Sequence, residues 1–310
     1  MNMYKSVLCI ILAVLLILPL CACGTQKPLK VLYIAYEDSY HEAYDILDGL
    51  KKATADSTVE IVSEVIPFPF EATNEEELYA PFKECIEKHK GEKFDAVIPI
   101  GVYSYFEAGG DPEIPVVSIW GSSQDGDVRE LFEERYNTKY YFSVYTECDT
   151  PSIMDRKLGE YLKSICAKDD NIAMVTYKMS SELDKTALEQ GMAGLKPMTF
   201  LADHDFADGG LCSEEYLDEA SFDVICTDEV IETTKYYKGL TGAEKMIWFG
   251  RYGEIEINAL IDGIYDAIVG ASHYDTGYAL GRELVSIASG KAPKDVYVMP
   301  TVLTRDLLLK

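Results

Sequence analysis

Several side chains able to grip a small polar molecule stand just after apolar, β-branched runs. They are Asp38 and Tyr40 after KVLYIAY (30–36), Tyr103 after FDAVIPI (94–100), Trp120 closing PVVSIW (115–120) and Asp228 after FDVIC (222–226). Arg251 and Tyr252 follow KMIWF (245–249), and His273 and Tyr274 follow a run from 264 to 270. Flat Tyr and Trp faces pack on sugar or heterocyclic rings, and carboxylates and a guanidinium hydrogen-bond hydroxyls. The carboxyl ends of parallel strands are where loops and helix N-termini leave donors and acceptors open to a ligand. One rule therefore gathers all of these residues.

Catalytic chemistry has no comparable pattern. The chain lacks a G-x-S-x-G elbow, a Walker loop, H-E-x-x-H and G-x-G-x-x-G, and its four histidines suggest no triad. Carboxylate pairs can always be found among 53 acids and so discriminate nothing. Eight cysteines include Cys9, Cys21 and Cys23 near the start; Cys85, Cys148, Cys166, Cys212 and Cys226 remain, an odd set with no C-x-x-C. None has a Cys/His ligand spacing, so neither a metal nor another cofactor is expected. Cys85 and Cys166 fall on helix faces and Cys226 on a strand, where a small buried thiol is the simplest role.

The elements that carry these residues alternate. KVLYIAY is apolar nearly throughout, as a strand buried on both faces should be. Ser39 and Glu42 have capping-box spacing, with Tyr40, Ala43, Tyr44, Leu47 and Leu50 on the helix face that follows; Thr73 and Glu76 repeat the spacing before Leu78, Phe82, Cys85 and Ile86. Strands are expected at 59–65, 94–100 and 115–120. After a polar stretch from Ser122 to Thr138, a second series places strands at 139–146, 171–177, 198–202, 222–226, 245–249 and 264–270. A helix starting at Thr150-Pro151, others near 182–195 and 230–237, and a last one stopping at Gly290 complete it. Two βαβα series predict two doubly wound lobes.

The first 23 residues are of another kind. Lys5 precedes an apolar run from Val7 to Leu20, too short for a membrane span and ending in small residues, as in a signal peptide. Leu20-Cys21-Ala22-Cys23 resembles a bacterial lipoprotein box with Cys23 lipidated; ordinary secretory cleavage or an uncleaved anchor are the alternatives. All three put the folded part outside the cytoplasm. With 28 Lys and Arg against 53 Asp and Glu, a net charge of −25, the chain is a poor partner for nucleic acid, which needs clustered bases.

The order of elements and several phrases resemble the type I periplasmic binding proteins, the sugar-binding group related to ribose-binding protein. The phrases are VLYIAYEDSYHEAYDILDGLKKA with Asp48-Gly49, FDAVIPI before IPVVSIW, NIAMVTY with Glu189-Gln190-Gly191 in the next helix, FDVICTDE, and HYDTGYALGRELVSIASGKAP. The resemblance implies two Rossmann-like lobes, parallel sheets flanked by helices, and a three-crossing hinge. The implied division is 1–23 as leader, 24–145 plus 272–290 as one lobe, and 146–271 plus 291–310 as the other. It further implies a monomeric, non-enzymatic, lipid-anchored solute-binding protein that carries a small ligand to an ABC permease.

The sequence also departs from the sugar-binding pattern. Where ribose-type proteins end the fourth strand in Asp-Arg, this chain has Trp120-Gly121; Asn-Asp becomes Thr227-Asp228; Phe-Asp becomes Arg251-Tyr252; and a hinge Gln is replaced near Ala271-Ser272. Only Asp228 matches, so a simple pentose or hexose does not follow. Nucleosides, other aromatic metabolites and amines stay open as ligands, and a sensor for a receptor or histidine kinase, or a lipoprotein enzyme, as roles. Structural roles compete residue by residue: Trp120 with a lobe core, Asp38, Ser39 and Asp228 with helix caps, Arg251 with a neighbouring carboxylate, His273 with the hinge itself.

Overall fold

A computed structural model describes residues 27–37, 42–120, 128–146, 151–175, 184–200, 221–228 and 231–309. Two six-stranded sheets organise them. The first holds β1 (Leu29–Glu37), β2 (Val59–Pro67), β3 (Ala96–Ile100), β4 (Val116–Trp120), β5 (Tyr140–Thr146) and β11 (Val296–Val298), in the order β11-β5-β4-β3-β1-β2, all parallel. The second holds β6 (Ile172–Val175), β7 (Thr199–Phe200), β8 (Val224–Thr227), β9 (Lys245–Tyr252), β10 (Ala267–Ser272) and β12 (Thr301–Thr304). Its order is β12-β10-β9-β8-β6-β7, with only β12 antiparallel.

Helices cover both faces of each sheet, which is why the strands read as unbroken apolar runs. On the first sheet, α1 (Glu42–Thr54) and α9 (His273–Ala288) bury Ile46, Leu50, Leu280 and Leu284 against Val31, Tyr33, Ile98 and Phe142. The opposite face takes α2 (Glu75–Lys88) and α3 (Val102–Glu107), with Phe82, Cys85 and Tyr105 on Leu32, Ile34 and Val97. On the second sheet, α5 (Pro151–Ile165) and α6 (Lys185–Gly191) lie on one face, α7 (Ile231–Thr241) and α8 (Glu254–Ile261) on the other. Each fully buried Leu, Ile or Phe adds about 1.5–3 kcal/mol, so each lobe has a core of its own.

Glycines set the closest helix contacts. A Cβ on Gly277 of α9 would lie 1.8 Å from the Ile46 carbonyl oxygen, and one on Gly49 of α1 would lie 2.0 Å from that of Tyr274. The second lobe repeats the device, with Gly159 of α5 against Leu188 and Gly191 of α6 against Arg156. Only a residue without a side chain lets two helix backbones approach so far.

The chain crosses between sheets three times. β5 of the first sheet leads to α5 of the second lobe, β10 leads back into α9, and β11 leads through Met299-Pro300 into β12. The division expected from sequence needs one correction here. Residues 291–298 do not run with the second lobe, because Val296, Tyr297 and Val298 pair with Val144, Tyr145 and Thr146 of the first sheet. Asp295 anchors that edge by accepting from Tyr140 Oη at 2.5 Å and from the Ser143 amide at 2.8 Å.

Two local readings also shift. The cap of α2 is Asn74 rather than Thr73; its side chain accepts from the Glu77 amide at 3.0 Å, while Glu77 accepts from the Thr73 amide and hydroxyl. Glu77 takes the Thr73 amide that Glu76 would have accepted in the expected Thr73–Glu76 box. The polar stretch before β5 holds a helix, α4 (Val128–Tyr136), whose Val128, Leu131, Phe132 and Tyr136 have helical spacing diluted by charge.

Candidate functional site

The first turn of α1 is where the two lobes touch through charge. Tyr33 of β1 donates its hydroxyl to the Ala43 carbonyl at 2.6 Å, fixing this end of the helix on its strand. Glu42 Oε1 then lies 3.4 Å from Arg251 Nη1 at the end of β9 and 3.6 Å from His273 Nδ1 at the start of α9. One carboxylate oxygen thus faces a cation from the second sheet and a ring from the second crossing. The guanidinium contact is a long hydrogen bond, and the ring contact is beyond direct bonding and in reach of a bridging water. Asp45, one turn on, accepts from the Glu254 amide at 3.0 Å, placing a negative charge at the N-terminus of α8. Gly253 leaves room for this contact, since a Cβ there would fall 2.2 Å from Asp45 Oδ2.

Both groups of the Glu42–Arg251 pair keep side-chain exposures near a third, 27% and 36%. At that exposure an ion pair contributes about 1 kcal/mol at most. It is weak enough to be exchanged for bonds to a guest. His273 is deeper, 8% exposed. Burial pushes its imidazole below the ordinary value of 6.5, and nearby Arg251 adds to this, while Glu42, Glu256 and Asp45 pull the other way. Ser272 caps α9, its hydroxyl accepting from the Asp275 amide at 3.3 Å. The hinge strand therefore passes directly into a helix N-terminus beside this cluster.

The structure distributes the remaining candidates unevenly. Arg251 and His273 come together, with Tyr274 next in the chain and 40% exposed. Tyr252 points the other way: it is 5% exposed in the second lobe's core, with its hydroxyl 3.5 Å from Thr301 Oγ1. Strand alternation explains the split, because adjacent residues face opposite sides. Tyr103 opens α3 after Gly101, is 42% exposed, and has the Arg135 guanidinium 5.5 Å from its ring centre. Trp120 ends β4, paired with Tyr145. Asp228 follows β8 and is half-buried. Asp38, Tyr40, Cys23 and the Trp120 side chain lie outside the described residues.

Sequence reasoning missed Glu42 and Asp45 as members of this site. Glu42 carries a signal already spent on something else, its capping spacing from Ser39, and Asp45 carries none, because its partner is 209 residues away. A second cluster was also missed: Glu64 of β2 with Cys85 and His89 of α2 and its cap, whose ligand atoms all lie within 4.8 Å of one another.

No family model matches this chain and no curated protein does. Solved structures do. A periplasmic ribose ABC transporter protein from Conexibacter woesei matches at TM-score 0.61 and 12% identity, covering 91% of this chain and 94% of that one. AraP, an arabinose-binding protein from Geobacillus stearothermophilus, matches at 0.58 and 15%, over 89% and 97%. The fold is that of the type I periplasmic binding proteins. The same type I fold is found in a putative LacI transcriptional regulator from Bacteroides fragilis, at 0.57 and 14%, over 91% and 99%. Likeness at such identities carries the architecture and leaves the ligand to the residues. Glu42, Arg251 and His273 stand at the carboxyl ends of β1, β9 and β10, the end at which open parallel sheets leave their crevice. Among the described residues no helix is long and apolar enough to cross a membrane.

Proposed function

We propose that this chain is an extracytoplasmic, lipid-anchored solute-binding protein that captures a small polar, carbohydrate-like molecule between its lobes and presents the closed form to an ABC permease. The observation that carries the reading is the exchangeable contact of Glu42 with Arg251 and His273, placed where the carboxyl ends of β1, β9 and β10 meet. A guest with several hydroxyls can accept from the guanidinium and donate to the carboxylate at once. Doing so ties both lobes together, so the ligand favours the closed state in proportion to its preference for it. Two fold relatives, a ribose and an arabinose protein, agree with such a guest. Tyr274 and Tyr103 supply aromatic faces at the same end of the strands.

Anchoring rests on Lys5, the Val7–Leu20 run and Cys23. Cys23→Ala should release the protein from the membrane fraction, and retention would remove the lipid from the reading. For the ligand, a thermal-shift screen over pentoses, hexoses, nucleosides and amines is followed by calorimetry on any hit. A ligand at about a hundred times its Kd stabilises the folded state by about 2.7 kcal/mol, an easily read shift in Tm. A sugar that binds and is recovered unchanged supports the proposal. Chemical turnover of the bound compound, or a response confined to nucleosides or amines, overturns it.

A further inference from the structure

The second cluster sits on the outer edge of the first lobe, away from the cleft. Glu64 lies on β2, the edge strand, and Cys85 and His89 are one helical turn apart at the end of α2, so both face the same side. The His89 side chain is 8% exposed, and both ring nitrogens meet carboxylates: Nδ1 is 3.0 Å from Glu92 Oε1 and Nε2 is 2.8 Å from Glu64 Oε1. An ionised carboxylate only accepts, so Nδ1 donates its proton to Glu92. In a neutral ring Nε2 is then a bare lone pair aimed at another acceptor. A cation held between them would satisfy both. A proton would suffice for the histidine and the glutamate alone, but it gives no role to the third donor, the Cys85 sulfur, converging on the same point.

We propose that Glu64, Cys85 and His89 form a binding site for a zinc-class divalent cation, with Glu92 orienting the histidine. Sulfur, imidazole and carboxylate are the ligand types of zinc, whose bonds of about 2.0–2.3 Å set ligand atoms about 3.3–3.6 Å apart in a tetrahedron. The three donors need only small rotations to reach that spacing from within 4.8 Å. The Glu92–His89 contact is the outer carboxylate–histidine pair that metal-binding imidazoles use to fix their tautomer. Lys88, which donates to both Glu64 oxygens at 2.8 and 2.9 Å, can keep Oε2 when the ion takes Oε1, since its own side chain is 63% exposed. Water fills the fourth position. Binding exchanges the Cys85 thiol proton, released to the buffer, for the cation, with no change in oxidation state. The ion would staple the edge strand to its helix.

Cobalt(II) titration of the full chain tests this, because a thiolate ligand gives an intense sulfur-to-cobalt absorption that oxygen ligands do not. The wild type should show the band at one equivalent, and zinc(II) should abolish it. Cys85→Ser and His89→Gln should lose the band, and Cys166→Ser should keep it. Glu92→Gln should keep the band while weakening zinc binding tenfold or more, as loss of an outer partner does. Because Cys85 is buried, Glu64→Gln, at a partly exposed site, serves as the variant least able to disturb folding and should weaken zinc by a similar factor. No band in the wild type, or cobalt bound equally by wild type, Cys85→Ser and Glu64→Gln, overturns the site.

Discussion

Replacing Gly277 by alanine is the sharpest probe of how the first lobe is assembled. Its Cβ would stand 1.8 Å from the Ile46 carbonyl oxygen and 2.7 Å from the carbonyl carbon, where ordinary contact begins at 3.4 Å. α1 and α9 must then part by roughly 1.5 Å, and a gap of even 0.5–1 Å forfeits a quarter to a half of each contact across it. Ile46, Leu50, Leu280 and Leu284, none more than 1% exposed, lose packing together. Overpacking costs about 1–3 kcal/mol, sometimes more, against about 1 kcal/mol gained from the helix preference of alanine. We expect a net loss of about 2 kcal/mol, a sizeable share of the roughly 5–15 kcal/mol that holds a protein folded. Gly239 provides the control: it also lies within a helix, nothing stands within 4 Å of its Cβ position, and Gly239→Ala should stabilise by about 0.5–1 kcal/mol. The two tryptophans, Trp120 in a strand of the first sheet and Trp248 in the second, allow single-tryptophan variants to report each lobe in urea. Gly277→Ala should shift the Trp120 transition by about 1 M. Equal stability of the Gly277 and Gly239 variants would refute the close approach.

Other perturbations reach the cleft and the third crossing. The folded His273 refuses a proton that the unfolded chain accepts near 6.5, so its contribution to stability is whole above that pH and declines as pH falls toward the lowered folded value. Urea midpoints between about pH 5 and 7 should fall less steeply in His273→Gln, and parallel curves would contradict the burial argument. Arg251→Ala and Trp120→Ala should each weaken ligand binding tenfold or more, about 1.4 kcal/mol, by calorimetry; unchanged affinity in both would move the pocket elsewhere. Asp295→Ala removes the acceptor shared by Tyr140 and Ser143 and should cost about 1.5–3 kcal/mol, with faster amide exchange in β11. A loss below about 0.5 kcal/mol would show that strand pairing alone holds this edge.

Much of the scaffold was legible in the sequence because the sheets are covered on both faces. KVLYIAY, FDAVIPI and FDVIC are apolar at nearly every position, and such runs stand out from the amphipathic helices between them. Gly290 marked the end of the last long helix, and it takes the left-handed φ of +90° that such a stop uses. The short elements were less legible. β11 has three residues and owes its place to pairing with β5 and to Asp295, neither of which leaves a period. Glu42 and Asp45 looked like first-turn acids, which they are, and only the return of the chain 209 residues later gives them Arg251 and the Glu254 amide. Cys85 and His89 lacked a recognisable ligand set because their partner, Glu64, comes from a strand and not from the same segment.

The three crossings also bear on how the molecule is made. While the ribosome is still short of His273, the first sheet lacks β11 and the helix that shelters Ile46 and Leu50, so one of its faces has only α1 upon it through most of elongation. The second sheet suffers far less, since all its strands but β12 come from the stretch between 172 and 272. The lobe that emerges first therefore waits for its last helix and edge strand until every strand of the second sheet but β12 has been made, so neither sheet is complete before the final forty or so residues arrive.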